Sequence, residues 1–391
     1  MNQDQQRVAR IDVIDGLRGI AILSVLYIHL SSFYRFWNPG WHGTWIFGLC
    51  LSPYTISADL IQGVPLFFIL SGLVLYLPYV LGYRTMKTKS DTLRFYKRRA
   101  RRLLPLFYIN VFFILAFVAP PQPPLATFKQ LFFLGTFLFT FFTPNFQETS
   151  LLLPNFPLWS LGVEIWFCVL MPLIIWAMDK YGHRTILLAF IVLSMATRLG
   201  YSLTTEITGM SALSFQLMNT VPERLVDFVV GMTIAHEFVA HQAVPKKNYW
   251  IAVGAFFLIF STACWEVVRQ EQVPFVLTVS NDLLVIIGLG LMVYGLLLTK
   301  STILKAIFAN WPIRLIGMMS YSIFIWHAPA LFVLRPDLNF IRFLRYIFLI
   351  FATSFLSYRY IEFGSVTDWK LLLPRWHGKP TTEKHLAIVS Q

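Results

Sequence analysis

Three ionisable residues, Asp15, Arg18 and His29, lie inside the first long apolar run of the sequence. An ionisable side chain inside a membrane span costs about 2.5–3.5 kcal/mol on insertion scales, so each is a candidate functional residue. Arg18 and His29 are eleven residues apart, which places them on nearly the same helix face and about 16 Å apart along the axis. Histidine can act as a general base and arginine can bind phosphate. The spacing is equally compatible with an Arg18 that reaches lipid phosphates and a His29 that hydrogen-bonds within a helix bundle.

A strongly basic segment follows the second apolar run. Residues 97–102 contain five Lys or Arg side chains in six positions. Most of them are typical of the positive charge that anchors a cytoplasmic loop, but some could bind a phosphorylated donor, because arginine suits phosphate. Within the second run, Ser71 and Gly72 are small residues in apolar surroundings. They permit close helix packing, and they would equally leave room for a narrow acyl or pantetheine passage.

The composition indicates a membrane protein rather than a soluble one. Of the 391 residues, 57% are hydrophobic and only 13% are charged, whereas about 25% charged residues are usual in soluble domains. The net charge of +13 lies in short segments between apolar runs, which favours lipid headgroups and cytoplasmic phosphates over nucleic acid as partners. The three cysteines are widely spaced, so we expect neither a metal site nor a disulfide framework.

Apolar runs of about 17–25 residues are long enough to cross a bilayer as helices. The sequence therefore predicts an all-α, polytopic helical bundle in which the whole chain, 1–391, forms one membrane domain. A further apolar stretch, 126–143, is ambiguous. The ten predicted spans lie near residues 13–36, 59–82, 103–119, 157–178, 185–204, 221–241, 249–267, 279–299, 313–334 and 340–361.

The positions of lysine and arginine in short loops predict the orientation of the spans. Residues 83–102 contain nine of them, so this loop and the N-terminus are expected in the cytoplasm. If 126–143 crossed the membrane, the later basic loops would face outside. If it lies at the outer interface or re-enters, those loops and a short tail, 366–391, face the cytoplasm. The second arrangement obeys the rule, and it predicts ten crossings of the inner (plasma) membrane with both termini cytoplasmic.

This orientation places ionisable residues from several spans in the outer half of the membrane. Glu164 lies about two turns into its span, at the predicted depth of His29. A carboxylate beside an imidazole orients the ring and raises its basicity. Glu164 could instead form a structural ion pair, and a transporter would also contain such a charged layer. Further candidates on the acceptor side, or in support of the site, are Arg224, Asp227, His327 and Asp15.

Several segments together resemble the membrane acyltransferase-3 family, which includes bacterial O-acetyltransferases of O-antigen, capsule and Nod factors, and macrolide acyltransferases. The resemblance covers about residues 11–365, with the segments in the family's order. One departure concerns Glu362, which is followed here by Phe363 and Gly364 instead of a basic residue and proline, so we assign it no role. The resembling segments are DGLRGIAILSVLYIH, GVPLFFILSGLVL, FYKRRARRLLPLFYI, PLWSLGVEIWF, RLVDFVVGM, IGMMSYSIFIWHAP and YRYIEF.

The resemblance implies an acyl-CoA donor, usually acetyl-CoA, that is delivered from the cytoplasm as a co-substrate without any bound cofactor. Position by position, it implies that Arg18 and His29 are the essential pair and that Glu164 supports the site. The donor-facing residues that it implies are Arg98, Arg99 and Arg102. Ser71 is a further candidate for donor binding because it is small and lies in the second span. Some family members carry a soluble hydrolase-like domain, for which residues 366–391 would be too few.

The hypothesis that follows is transfer of an acyl group to a hydroxyl of an extracytoplasmic or lipid-linked glycan. The phosphates of the donor would bind near the arginines, and His29 would act as general base while Glu164 orients its ring. Transfer through an acyl group on His29 is the alternative chemistry. A transporter of a lipid-linked sugar or acyl group is the alternative function. The acceptor stays open between polysaccharide units, lipid-linked sugars and small glycosides such as macrolides, and the sequence predicts no oligomeric state.

Overall fold

A computed structural model describes most of the chain, and the residues that it describes are almost entirely helical. These residues are 3–34, 44–46, 49–51, 62–118, 124–141, 155–208, 219–241, 248–270, 275–299, 301–334 and 340–362. The predicted tail, 366–391, lies outside them.

Thirteen α-helices follow one another in the described part of the chain. The last of them continues into a π-helical turn, Tyr358–Glu362. The helices are α1 (Gln3–Tyr34), α2 (Gly63–Val80), α3 (Lys89–Phe117), α4 (Pro124–Thr136), α5 (Leu158–Tyr181), α6 (His183–Thr208), α7 (Val221–Ala240), α8 (Asn248–Gln270), α9 (Phe275–Leu298), α10 (Thr302–Phe308), α11 (Trp311–Met318), α12 (Ser320–Leu334) and α13 (Phe340–Ser357).

One small element departs from the all-α prediction. Two three-residue strands, Thr44–Ile46 and Leu49–Leu51, pair antiparallel with Trp45 opposite Cys50. They lie in a segment that was predicted only as a loop between the first two spans, where the sequence is too short and too mixed for a helical pattern. The helical membrane architecture is unaffected.

Among the described residues, seven helices are long and apolar enough to cross a membrane, or eight if the pair α11 and α12 forms one bent span. The predicted count of ten is therefore not confirmed. The helix α7 covers the predicted span 221–241 but contains Glu223, Arg224 and Asp227 within its first two turns. The predicted span 313–334 is broken at Met319, where α11 and α12 meet at 73°.

The ambiguous stretch 126–143 forms a helix that is too short to cross a bilayer. The helix α4 has 13 residues, which is about 20 Å against the roughly 30 Å thickness of the hydrocarbon core. Phe137 then takes a left-handed backbone conformation with φ of 56° and ends the helix before a 3-10 turn, Leu138–Thr140. This length agrees with an interfacial or re-entrant segment, on which the orientation prediction depends.

Two glycines let α2 and α7 pack with their backbones in contact. A Cβ atom added at Gly72 would collide with the carbonyl oxygen of Phe228, and one added at Gly231 would collide with that of Ile69. Gly72 therefore serves helix packing, as small residues do in membranes. Its neighbour Ser71 lines a cavity.

The apolar interior forms two clusters with this cavity between them. One cluster contains side chains of α2, α5, α7 and α9, and the other contains side chains of α3, α12 and α13, while α1 contributes to both. Large apolar side chains such as Phe112, Phe117 and Phe348 are exposed on the outside of the bundle. In a membrane-spanning chain those faces contact lipid.

Candidate active site

A cavity of about 1050 Å³, including its open mouth, lies between α1, α2, α3, α5 and α12. The sequence predicts that residues from several spans form one site. Six of these predicted residues, from four of the helices, line the cavity in the structure. The predicted residues among those that line the cavity are Arg18, Ser71, Arg98, Arg99, Arg102 and Glu164.

The cavity is long and follows α2. Its lining runs from Val64 to Pro78 along that helix, and these 14 steps correspond to about 21 Å. At the Pro78 end, Arg84 and Arg98 line what we call the basic mouth. Burial lowers the pKa of Arg84, and the neighbouring charge of Arg98 lowers it further. An anion bound between the two guanidinium groups would relieve this repulsion.

The residue at which α3 begins, together with the helical periodicity, determines which of its basic side chains face the cavity. Thr88 caps the helix by accepting a hydrogen bond from the Asp91 backbone N–H, and the Asp91 carboxylate accepts one from the Thr88 N–H, each at 3.1 Å. Such a capping box fixes where the helix begins. Arg99 then falls on the same buried face as Phe95 and Leu103, because residues four apart share a helix face.

The middle of the cavity contains two buried ion pairs. Arg99 Nη2 donates to Glu164 Oε1 at 2.8 Å, and the Ser71 hydroxyl donates to the same oxygen at 3.5 Å. Arg102 pairs with Glu362 at 3.6 Å. Glu362 was assigned no role from the sequence. In the structure its carboxylate neutralises Arg102, one of the predicted donor-binding arginines. The signal that could have found it is a carboxylate at the end of the last apolar run, the criterion already applied to Glu164.

The histidine that was predicted to be catalytic is paired with a second histidine. His29 Nδ1 lies 2.8 Å from His327 Nε2, and the two rings lie side by side with centroids 5.0 Å apart and planes only 13° apart, as an in-plane hydrogen bond requires. His327 Nδ1 lies 2.6 Å from the backbone carbonyl oxygen of Phe324. We call His29 and His327 the His pair.

The Phe324 carbonyl determines which nitrogen atoms of the His pair carry protons. A carbonyl oxygen only accepts, so His327 Nδ1 must donate to it. In a neutral ring the other nitrogen then accepts, and His327 Nε2 receives its hydrogen bond from His29 Nδ1. The remaining nitrogen, His29 Nε2, is left with a free lone pair, which is the form that a general base requires.

The predicted contact between Glu164 and His29 is wrong, because the two residues lie at different depths. The ring of His29 packs edge-on against Phe156 at 4.8 Å, just before α5 begins. Glu164 lies six residues beyond Leu158, where α5 begins, which is about 9 Å along the helix. The partner that holds His29 is therefore His327, and the partner of Glu164 is Arg99.

The His pair lies just beyond the end of the cavity that is opposite the basic mouth. At that end, a Cβ atom on Gly63 would collide with α1 at Ala21 and come close to Val25. Val64, the next residue, lines the cavity. His29 is four residues past Val25 on α1, which is about 6 Å further along the helix.

Two of the predicted acceptor-side residues, Arg224 and Asp227, do not line the cavity but belong to a buried ion network between α6, α7 and α9. Arg198 pairs with Glu223 at 2.5 Å and with Asp282 at 2.7 Å. Arg224 lies 3.5 Å from Glu223, 3.7 Å from Asp227 and 3.8 Å from Asp282. The geometry indicates a structural role for this network.

Arg198 and Asp282 were missed by the sequence analysis, although each lies inside a predicted span and satisfies the criterion used for Arg18. Asp15 is also outside the cavity lining. It packs where α1 meets α11, since a Cβ atom on Gly317 would collide with its carbonyl oxygen. Of the predicted supporting residues, His327 alone contacts a predicted catalytic residue among the described contacts.

Residues 11–361 of the chain match the family described as Acyltransferase domain. The chain belongs to this acyltransferase family. The predicted resemblance is thus confirmed over nearly the whole chain, and with it the assignment to acyltransferases that act on groups other than aminoacyl groups. No solved structure is a significant match.

The relatives of this acyltransferase include three proteins whose names describe them as O-acetyltransferases. It is 25% identical over 366 residues to the peptidoglycan O-acetyltransferase OatA of Listeria monocytogenes, covering 89% of this chain and 54% of that protein. It is 24% identical over 369 residues to the O-acetyltransferase OatA of Staphylococcus aureus, covering 89% and 56%. The putative peptidoglycan O-acetyltransferase YrhL of Bacillus subtilis is 23% identical over 344 residues, covering 83% and 49%. The chain spans about half the length of these relatives.

Proposed function

We propose that this acyltransferase moves an acetyl group from cytoplasmic acetyl-CoA to a hydroxyl of a cell-envelope glycan on the far side of the membrane, with peptidoglycan as the first acceptor to test. The observation that carries the proposal is the cavity of about 21 Å, which begins at the basic mouth and ends just short of the His pair. The names of the relatives from Listeria monocytogenes and Bacillus subtilis, which specify peptidoglycan, support the acceptor class.

The basic mouth suits the phosphates of coenzyme A. Arg84 and Arg98 line it, and both are part-buried, so they hold positive charge where water is partly excluded. Charge-assisted hydrogen bonds from guanidinium to phosphate are about twice as strong as neutral ones. Beyond the mouth, apolar side chains outnumber polar ones in the cavity lining, which suits an extended pantetheine arm.

The distal end of the cavity suits the chemical step. The thioester carbonyl would lie near Ser160 and Phe324, within reach of the His pair. His29 Nε2 takes the proton of the acceptor hydroxyl as that oxygen attacks the carbonyl carbon. The C–S bond then breaks, and the leaving sulfur receives the proton, so that an ester and a free thiol are formed. His29 lies outside the cavity, and the acceptor can therefore approach it from the far side.

The direct test uses purified protein in nanodiscs with acetyl-CoA and soluble peptidoglycan fragments. Thiol release that depends on the glycan, together with an acetyl ester on the glycan, supports the proposal. Transport of labelled substrate into vesicles without thiol release would support the transporter instead. Thiol release only with a macrolide or another small glycoside would contradict the glycan acceptor.

A charge reversal at the basic mouth is expected to weaken donor binding. In Arg98→Glu, the KM for acetyl-CoA should rise roughly 10- to 100-fold with little change in kcat, because a hydrogen bond to a charged group contributes about 1.5–3 kcal/mol. Initial rates at varied acetyl-CoA measure this. Arg101→Glu is the matched control, since Arg101 lies on the same helix but is exposed and outside the cavity lining. An equal rise in both variants would point to general electrostatics instead of a site.

Substitutions of His327 separate hydrogen bonding from packing. His327→Ala should lower kcat roughly 10- to 100-fold, because His29 loses the acceptor that fixes its tautomer. His327→Gln should recover part of the rate, since its amide oxygen can accept from His29 Nδ1. Rates at saturating acetyl-CoA measure both. Equal rates for the two variants would mean that His327 acts only by filling space.

A further inference from the structure

Phe324 is the residue that lies both on the cavity and on the His pair. Its side chain lines the cavity. Its ring centroid is 5.5 Å from that of His327, at an interplanar angle of 46°, and the residue is only 8% exposed. Its backbone carbonyl holds His327 Nδ1. Among the described ring contacts, Phe324 is thus the aromatic wall between the donor cavity and the base.

We propose that the Phe324 side chain determines acyl-chain specificity by filling the space that an acyl chain longer than acetyl would need. The inference rests on the proposed function, which it deepens by naming the class of donor. A thioester carbonyl within reach of His29 must lie at the distal end of the cavity. Its acyl chain then points at the surrounding walls, of which Phe324 is the one in contact with the His pair.

A second aromatic wall of the cavity, Phe68, is held in place by its own neighbours. Phe68 stacks on Phe228 with centroids 4.6 Å apart, and Phe228 stacks on Phe167 at 4.1 Å. The Phe68 ring also packs edge-on against Trp159 with centroids 6.3 Å apart, so it is held on two sides. Among the described ring contacts, it makes none with the His pair. Movement of the Phe68 side chain would disturb the packing of Phe228 and Phe167 as well. Truncation of Phe324, in contrast, opens space directly beside the reacting carbonyl.

The side chain and the backbone of Phe324 have separable roles. Any substitution except proline keeps both the carbonyl oxygen and the helix that aims it, so the hydrogen bond to His327 Nδ1 persists. A change of the side chain therefore alters the size of the distal end without removing the tautomer control. This separation lets chain-length preference change while acetyl transfer continues.

The experiment compares Phe324→Ala and Phe324→Leu with the wild type, using acetyl-, butyryl- and hexanoyl-CoA and a glycan acceptor in nanodiscs. One methylene in a tight pocket changes kcat/KM about 10- to 200-fold. We expect the wild type to prefer acetyl over butyryl by at least about tenfold. We expect Phe324→Ala to reduce this ratio by at least about tenfold, with Phe324→Leu intermediate. Phe113→Ala is the matched control. The Phe113 ring of α3 packs against Trp326, which lies on α12 as Phe324 does, and Phe113 does not line the cavity.

The outcomes distinguish this inference from the function on which it rests. If the wild type releases no thiol from any of the three donors, the proposed function fails and the inference fails with it. If the wild type transfers acetyl and the ratio in Phe324→Ala is unchanged, the specificity wall alone is overturned. If Phe324→Ala does not fold, the ratio in Phe324→Leu decides. An equal change in Phe113→Ala would also overturn the wall, because it would assign the effect to loosened packing of α12.

Discussion

His29→Ala is expected to lower kcat for acetyl transfer about 10²- to 10⁴-fold, the usual contribution of a positioned general base. The KM for acetyl-CoA should change little, because His29 lies beyond the cavity while the basic mouth is at the opposite end. The side chain hydrogen-bonds to His327 and packs against Phe156, so the loss is expected from chemistry and not from donor binding. Single-turnover thiol release with saturating donor measures it.

A second histidine provides the matched control for this prediction. His241 lies on the turn that ends α7, contacts Glu237 and is 44% exposed. His241→Ala should keep near-normal transfer. Near-normal transfer in His29→Ala would refute the mechanism. The wild type, mixed with acetyl-CoA and no acceptor, also separates the two chemical routes: acetyl label retained on His29 indicates a covalent intermediate, and no label indicates direct attack by the hydroxyl.

Arg198→Met is expected to lower the free energy of unfolding by about 3–5 kcal/mol, the usual cost of breaking a buried ion pair by removing one partner. Arg198 is fully buried and contacts two carboxylates, Glu223 at 2.5 Å and Asp282 at 2.7 Å. Its loss leaves three carboxylates, those of Glu223, Asp227 and Asp282, against the single charge of Arg224. Thermal unfolding of the protein in detergent measures the effect.

An arginine at the start of the same helix serves as the control. Arg184 also pairs with a carboxylate, that of Glu237 at 2.9 Å, but its side chain is 77% exposed. Arg184→Met should cost at most about 1 kcal/mol, because exposed ion pairs contribute little. The folded fraction of Arg198→Met should keep the wild-type KM for acetyl-CoA, since the network does not line the cavity. Equal stability of the two variants would show that the network does not hold the helices together.

Much of the donor side of the site could be predicted from the sequence. Arg18, Arg98 and Arg102 stand out because charged residues inside or beside apolar runs are rare and costly. Ser71 stands out because it is small among large apolar residues. All four line one cavity. Such residues can be recognised from their type and from their position along their own helix. In addition, the binding of phosphate depends more on a cluster of positive charge than on any single geometry.

The partners of the ionisable groups could not be predicted. The sequence placed Glu164 beside His29 because depth was counted from assumed span ends. In the structure His29 packs against Phe156, just before α5, and Glu164 lies about 9 Å further along that helix. Arg224 and Asp227 were assigned to the acceptor side because their depth matched, although α7 turns them toward α6 and α9. Depth along a helix says nothing about which neighbour its face meets.

The sequence by itself therefore determined that this chain is a helical membrane protein of the acyltransferase family, and it predicted a site that contains Arg18, several arginines of the basic segment and His29. Hydropathy, charge and motif order are properties of the chain alone. Only the tertiary structure decided that His327 holds His29, that Arg99 holds Glu164 and that Phe324 separates the cavity from the His pair. Those relations depend on how helices far apart in sequence rotate and pack, and close contacts such as Gly72 against Phe228 set that packing.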